Sequence, residues 1–290
     1  MPPDTGMWQS RRMAPTNQIT RGNLAFNVTE SGPRGGEPVL LLHGFPQHAD
    51  SWDALAPLLN DAGYRTIAMD QRGYSPGARP LSRSAYRVPE LVADTAAVVD
   101  HYGGPVHLVG HDWGAVAAWA FAAAHPERTR SLTALSVPHP AAFLRAMVTS
   151  RQCLRSWYMV FFQLPWLPEW ALRHGMLRWF LEHTGQTPER ARRDVEGLAG
   201  PGALTGALNW YRALPLLDPR RTGDPVRSPT LFIWSDGDIA VDRRGAEDCA
   251  RYVQAPYQFE TLTGVSHWIP EEAPRETAAL LLPHLKRTAG

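Results

Sequence analysis

Lysine is almost missing from this sequence: Lys286 stands alone and the other side-chain cations are arginines. An excess of either charge is missing too. Lys plus Arg number 29 against 28 for Asp plus Glu, giving a formal net charge of +1. No basic run is long enough to track a phosphate backbone, which excludes nucleic acid as a partner. Cysteine is scarce, and Cys153 and Cys249 lie far apart with no CxxC or Cys/His spacing. That excludes a disulfide framework and a zinc site, and it suits a reducing cytoplasm. No apolar run reaches the length of a membrane span. The longest, residues 114–124, is mostly alanine and reads as a buried helix. Residues 1–19 contain no apolar core of a secretory leader and are expected to form a flexible tail.

The composition that remains is that of a folded chain. Of 290 residues, 44% are hydrophobic and 20% charged, enough for one large domain or two small ones. The 11 tryptophans stand out, because a large flat side chain favours cores and apolar ligand pockets.

Short apolar runs alternate with helical patterns, the signature of βαβ units around a mostly parallel sheet. Val39 to Leu42, Thr66 to Met69 and Val106 to Val109 are compact apolar runs bounded by turn residues, as strands covered on both faces should be. Leu24 to Val28 alternates weakly and reads as an edge strand, and Leu132 to Val137, Thr230 to Trp234 and Tyr257 to Leu262 continue the series. Leu91, Thr95, Val98, Val99 and Tyr102 repeat at helical spacing, a second helix runs from Gly114 to His125, and a last one from Pro270 to Arg287. From Pro138 to Thr222 no strand-like run occurs; Trp, Phe, Leu and Arg recur at helical intervals between prolines. The economical reading is an α/β fold with helices on both faces of the sheet. Its core is discontinuous, residues 20–137 and 223–290, interrupted by a helical cap over 138–222.

The chemistry gathers at the ends of the strands. Val106 to Gly114 reads VHLVGHDWG, a strand, a tight turn and a helix, with Asp112 at the position of a nucleophile elbow. Flanking glycines permit the sharp bend that thrusts a side chain out at the carboxyl end of the sheet. A turn carboxylate capping the next helix would also fit. An activated nucleophile needs a base, and the base an orienting acid. Downstream, Asp236 and Asp238 follow a strand and His267 lies before the last helix. Asp112, Asp238 and His267 then run in the order nucleophile, acid, base, with Asp236 as a turn residue. Upstream, His43-Gly44-Phe45-Pro46-Gln47 follows the strand that ends at Leu42. The backbone N–H groups of Phe45 and Trp113 could converge as an oxyanion hole, although a plain Gly-Pro turn would read the same way.

The motifs HGFPQ, DQRGYS (Asp70 to Ser75), GHDWGA, SVPHP (Ser136 to Pro140), NWYR (Asn209 to Arg212) and GVSHW together resemble the epoxide hydrolases of the α/β-hydrolase superfamily. The resemblance covers nearly the whole chain beyond residue 20, in the family's motif order. It implies that two cap tyrosines hold the epoxide oxygen. One matches Tyr211 in NWYR, and the other matches Tyr158, in a stretch ending in Phe-Gln. It supports Asp238 as the acid, three residues after a small residue, here Ser235 where glycine is usual. The implied reaction is attack of Asp112 on a saturated epoxide carbon to form an alkyl-enzyme ester, which water activated by His267 then hydrolyses to a vicinal diol. It implies no organic cofactor and no metal. The expected partners are a small apolar epoxide and water, in a monomer or homodimer with no membrane span. The expected pocket between cap and core has Phe45, Trp113, Phe162 and Trp268 on its wall. Two rival readings remain. A dehalogenase could use the same Asp-His-Asp set, but Phe45 offers no donor where dehalogenases of this fold usually carry Asn. A non-catalytic binder on the same fold would have no use for a base aimed at an ester.

Overall fold

The computed structural model describes residues 17–289. Its centre is an eight-stranded sheet made of β1 (Asn17–Arg21), β2 (Leu24–Ser31), β3 (Pro38–Leu42), β4 (Arg65–Met69), β5 (Val106–His111), β6 (Thr129–Leu135), β7 (Thr230–Ser235) and β8 (Tyr257–Leu262). The spatial order is β1-β2-β4-β3-β5-β6-β7-β8; the pairs β1/β2 and β2/β4 are antiparallel and the rest parallel. This is an α/β-hydrolase arrangement.

The central strands are continuous apolar runs because both faces are covered. Along β3, Leu40 and Leu42 enter one core while Val39 and Leu41 enter the other. The first core is closed by α2 (Val88–Tyr102) and α3 (Trp113–Ala124), which supply Leu91, Val98, Ala115 and Phe121. The second is closed by α1 (Ala56–Asp61) and, near the C-terminus, by a helix that supplies Leu281 and Leu285.

Between β6 and β7 the chain runs only through helices and loops. These are α4 (Pro140–Thr149), α5 (Gln152–Arg155), α6 (Trp157–Phe161), α7 (Leu167–Ala171), α8 (Leu177–His183), α9 (Pro188–Gly197) and α10 (Ala203–Arg212). After β7 come α11 (Arg243–Asp248), α12 (Ile269–Glu272) and α13 (Pro274–Arg287). Among the described residues no helix is long and apolar enough to cross a membrane.

Four boundaries differ from the sequence reading. Residues 1–16 of the expected tail lie outside the described residues, but Asn17–Arg21 forms β1, whose alternation is too short and polar to read as a strand. β2 is therefore interior, paired on both sides, and not an edge strand. β6 ends at Leu135 because Ser136 takes a positive φ of 66°, which no extended strand accommodates. The final helix is two helices, because Ala273 (φ −129°, ψ 53°) interrupts it just before Pro274.

One packing contact decides where the sheet meets α3. A methyl group on Gly114 would overlap the Leu42 and His43 carbonyl oxygens, and one on Gly110 would overlap the Gly114 backbone. Overpacking at backbone contact cannot be relieved by rotamer changes. Gly114→Ala is expected to lower Tm by roughly 5–10 °C in a thermal melt, the overpacking range converted for a chain of this size. Gly104→Ala, where a methyl meets nothing within 4 Å, is expected to leave Tm within about 2 °C.

Candidate active site

Asp112 precedes the first residue of α3 with φ 51° and ψ −119°, a conformation that costs a non-glycine residue on the order of 1–3 kcal/mol. The close approach of β3, β5 and α3 holds it there. The loop after β3 stands against it: a methyl on Gly44 would overlap the Asp112 side chain, and Phe45 N–H donates to Asp112 Oδ2 at 2.8 Å. His43 braces this loop. Gln71 N–H donates to its Nε2 (3.1 Å), which leaves Nδ1–H to donate to the Gly44 carbonyl (3.0 Å). Trp113 opens α3, where first-turn N–H groups have no partner inside the helix.

The loop after β8 brings His267 to the opposite side. Its Nδ1 is 2.7 Å from Asp238 Oδ2, and its Nε2 is 3.7 Å from Asp112 Oδ1. The other Asp238 oxygen accepts from Ala240 N–H (2.7 Å) and Val241 N–H (2.9 Å), so the carboxylate is fixed by the turn that carries it. Asp236 has a different task, accepting from Gly264 N–H at 2.7 Å to close the neighbouring turn. The His267 carbonyl accepts from His111 Nε2–H (2.9 Å) and from the Ser136 hydroxyl (2.8 Å). His111 is thus a brace of the base loop, which its position in the elbow did not suggest.

Tyr158 on α6 and Tyr211 on α10 face the same space from the other side, their rings 5.9 Å apart. The residues around Tyr211 anchor α10. Trp210 Nε1–H donates to the Arg72 carbonyl (2.8 Å), Asn209 Nδ2 to Leu81 O (3.3 Å), and Arg212 pairs with Glu169 (2.6 Å). Tyr211 meets Phe45 and Trp113 edge-on, at 5.3 Å and 5.1 Å between centroids.

Asp112, Trp113, Tyr158, Tyr211 and His267 all line one cavity of about 1040 Å³. Phe45, Phe162 and Trp268, expected beside Trp113 on its wall, do not line it. Phe45 and Phe162 pack behind Tyr211 (5.3 Å and 5.0 Å), and Trp268 is drawn away by donating its indole N–H to Thr184 (3.1 Å).

Electrostatics sorts these groups by charge. Burial alone would lower the His267 pKa, but Asp238 and Asp112 outweigh it and raise the imidazole to about 10. Burial likewise opposes ionisation of Asp112, yet His267 and the Phe45 N–H hold its carboxyl below the ordinary range. Burial lowers His43 and His111 to about 4, keeping both neutral. Tyr158 and Tyr211 are raised, first by burial and then by the charge of Asp112, so both are neutral donors at pH 7.

A residue that sequence reasoning missed links these parts. Glu271, on α12, accepts from Gln47 Nε2 (2.7 Å) in the loop after β3 and pairs with Arg193 (2.7 Å) on α9, while its carbonyl accepts from Arg190 (2.7 Å). It ties the Phe45 loop, the His267 loop and the helical segment together, yet no local pattern joins residues 224 positions apart.

Two outcomes are expected. Asp112→Asn removes one of the two carboxylates that raise His267, so its NMR titration midpoint should fall from about 10 toward the unperturbed 6.5. An unchanged midpoint would assign the whole shift to Asp238. The folded state binds this proton more tightly than the unfolded chain. The pair's contribution to stability is therefore complete below about pH 6.5 and is lost as pH rises through about 10, a loss that the variant should show less. Glu271→Ala leaves the Arg193 guanidinium paired with Asp194 (2.7 Å) but removes the buried acceptor of Gln47, and should lower stability by about 1–3 kcal/mol, read by chemical denaturation.

A family model for the alpha/beta hydrolase fold matches residues 37–274. The sequence is 32% identical to Epoxide hydrolase 4 of Homo sapiens over 93% of this chain and 78% of that protein. It is 30% identical to Epoxide hydrolase A of Mycobacterium tuberculosis over 94% and 98%, respectively. The crystal structure of Epoxide Hydrolase A from Mycobacterium thermoresistibile superposes with a TM-score of 0.81 at 27% identity, covering 93% of this chain and 97% of the other. A family model matched over residues 37–274 and relatives at 32% and 30% identity over more than nine-tenths of this chain show that the chain belongs to the α/β-hydrolase family, among its epoxide hydrolases.

Proposed function

We propose that the enzyme opens an epoxide to a vicinal diol through an ester on Asp112, with residues 138–222 acting as the cap that supplies both oxygen-binding tyrosines. The observation that carries this reading is the arrangement in one cavity of an ionised carboxylate, an imidazole across from it and two neutral phenols.

An epoxide presents a saturated carbon and a strained oxygen. Phe45 N–H holds Oδ2, which leaves Oδ1 as the attacking atom. As Oδ1 bonds to carbon the ring C–O bond breaks, and the developing alkoxide takes hydrogen bonds and then a proton from Tyr158 or Tyr211. Ester formation removes the charge of Asp112, one of the causes that kept His267 protonated. The proton that His267 releases balances the one the tyrosine gave up. The neutral imidazole, still oriented by Asp238, then takes a proton from water, and the hydroxide attacks the Asp112 carbonyl carbon. The 3.7 Å between Nε2 and Oδ1 exceeds a direct hydrogen bond and leaves the imidazole edge open to that water. Phe45 N–H, with Trp113 N–H, would stabilise the tetrahedral oxyanion at Oδ2. Collapse of the intermediate breaks the ester C–O bond, the leaving alkoxide takes the proton from His267 to complete the diol, and the Asp112 carboxyl then passes its proton to His267, restoring the resting pair.

Halide displacement is the weaker reading. The Trp113 ring packs edge-on against Tyr211, and Phe45 has no side-chain donor.

His267→Gln should form the ester and stall, giving a protein mass increase equal to that of the epoxide; absence of the adduct would remove His267 from the water-activation step. Tyr158→Phe and Tyr211→Phe should each slow ester formation by about 10²–10³-fold, the cost of removing one oxyanion donor, in single-turnover kinetics. Wild-type rates in both variants would sink the tyrosine assignment.

A further inference from the structure

A helix that lies on a protein turns its apolar side inward and its polar side to water. Helices α4 to α8 keep only the first half of that rule. Inward, Phe162, Leu172, Leu177 and Leu181 are buried in the core that also holds Trp210 and Tyr211. Outward stand Trp157 on α6, Trp166 and Trp170 at the start and end of α7, and Trp179 on α8, each between 56% and 72% exposed. Leu144 and Val148 on α4, Leu154 on α5, and Val160 and Leu164 are exposed as well. The helices form one layer. α4, α5 and α6 pack in succession, the Tyr158 and Phe180 rings join α6 to α8 at 6.3 Å, and Arg212 joins Leu164 O (2.8 Å) to Glu169 on α7. Large apolar side chains gathered on one surface mark an interaction site.

The charge exposed on this layer has one sign. Residues 140–183 contain five arginines and two carboxylates. All five arginines are exposed, whereas Glu169 and Glu182 are half-buried and engaged by Arg212 (2.6 Å) and Arg178 (2.8 Å). Arg145 and Arg155 lean toward Asp248 (3.2 Å) and Asp242 (3.7 Å), which leaves Arg151 and Arg173 with no ion pair among the described residues. The catalytic cavity reaches the same surface. Leu144 and Val160 are exposed and also line the cavity that holds Asp112, as do half-buried Met147 and Met159, so one opening lies at α4 and α6.

We propose that the outer face of α4 to α8 docks on the surface of an anionic phospholipid bilayer, with its indoles at headgroup level, Arg151 and Arg173 on lipid phosphates, and the cavity opening turned to the lipid. Indole joins an apolar body to one N–H and settles where acyl chains meet water, and arginines beside it are drawn to a negative leaflet. A second copy seated by two-fold symmetry would set this cationic face against itself, with no exposed carboxylate in residues 140–183 to receive the arginines. A protein partner would cover Leu144 and Val160 and shut the opening, whereas a fluid apolar phase leaves it passable to apolar solutes. The docking goes beyond the epoxide-opening reading and stands without it. The two meet in one consequence: an apolar epoxide dissolved in the bilayer reaches Asp112 without crossing water.

The test uses the full-length protein and its sedimentation with vesicles of phosphatidylcholine, with and without phosphatidylserine. Binding should be strong to the anionic vesicles alone, should fall as salt rises, and should shift the tryptophan emission to the blue. Arg173→Glu should weaken binding at least about fivefold, the worth of one cation near an anionic surface. Trp166→Ser combined with Trp179→Ser should weaken it further and reduce the emission shift. Both variants change exposed side chains outside the catalytic site, so turnover of a dissolved epoxide should match the parent. No binding to either vesicle would overturn the docking, and so would binding that ignores lipid charge or is unchanged in both variants. A dimer that these variants disperse, in a protein that leaves vesicles untouched, would overturn the bilayer and give the face to a second copy. Binding as expected with no diol from any epoxide would support the docking and overturn only the hydrolase reading.

Discussion

The backbone contact between the end of β3 and the start of α3 is the constraint on which the site depends. With no side chain at Gly114, the helix comes against the carbonyls of Leu42 and His43, and with none at Gly44 the returning loop reaches the Asp112 side chain. The consequence is that Phe45 N–H and Asp112 Oδ2 meet at 2.8 Å without a flexible side chain intervening. Oriented donors of this kind need no reorganisation when charge develops. The positive φ of Asp112 is the local expense of that geometry, and burial on both faces of the sheet, with Leu40 and Leu42 on one side and Val39 and Leu41 on the other, meets it.

The same contact explains why the site was partly legible in sequence. A Gly-x-Asp-x-Gly turn after an apolar strand states a local backbone requirement, and period-2 or period-3.6 patterns state local burial. These survive in one sequence because each concerns neighbours along the chain. Asp238 was separable from Asp236 only by its place in the turn, and the structure distinguishes them by partner: His267 for one, Gly264 N–H for the other. The braces were not legible. Ser136 and His111 meet on the carbonyl of His267, more than a hundred positions away, and Gln47 meets Glu271 across 224. Each is an ordinary polar residue until the fold pairs it. The pocket wall failed for a related reason. Aromatic type alone does not distinguish a side chain facing the cavity, such as Trp113, from one packed behind Tyr211, such as Phe162.

Burial of the charged groups has an effect opposite to the one burial usually has. Alone it would neutralise Asp112 and His267. Side by side, with Asp238 behind, they keep each other charged, while the same burial keeps Tyr158 and Tyr211 protonated. A carboxylate and phenolic donors therefore coexist in the buried pocket at pH 7, where burial alone would push the carboxyl toward its neutral form. The imidazolium also carries a proton in reserve. On the proposed route it is released only when Asp112 has lost its charge to the ester, so the base becomes active after the step it must follow.

On the proposed route, timing by charge requires that bulk water stay out until Asp112 has formed the ester. An exposed carboxylate would be solvated and slow, and its pull on His267 would be screened. The α6 and α10 side chains that bind the epoxide oxygen in this reading are also what covers the carboxylate, so substrate recognition and exclusion of water are performed by the same groups. Their position depends on Trp210, Arg212 and Glu169, which anchor α10, and on Glu271, which joins the helical segment to the loops that carry Phe45 and His267. A helical segment docked less firmly would weaken the charge coupling and the grip on the substrate together, and for this reason buried ion pairs of uncertain net stabilising value stand at that junction.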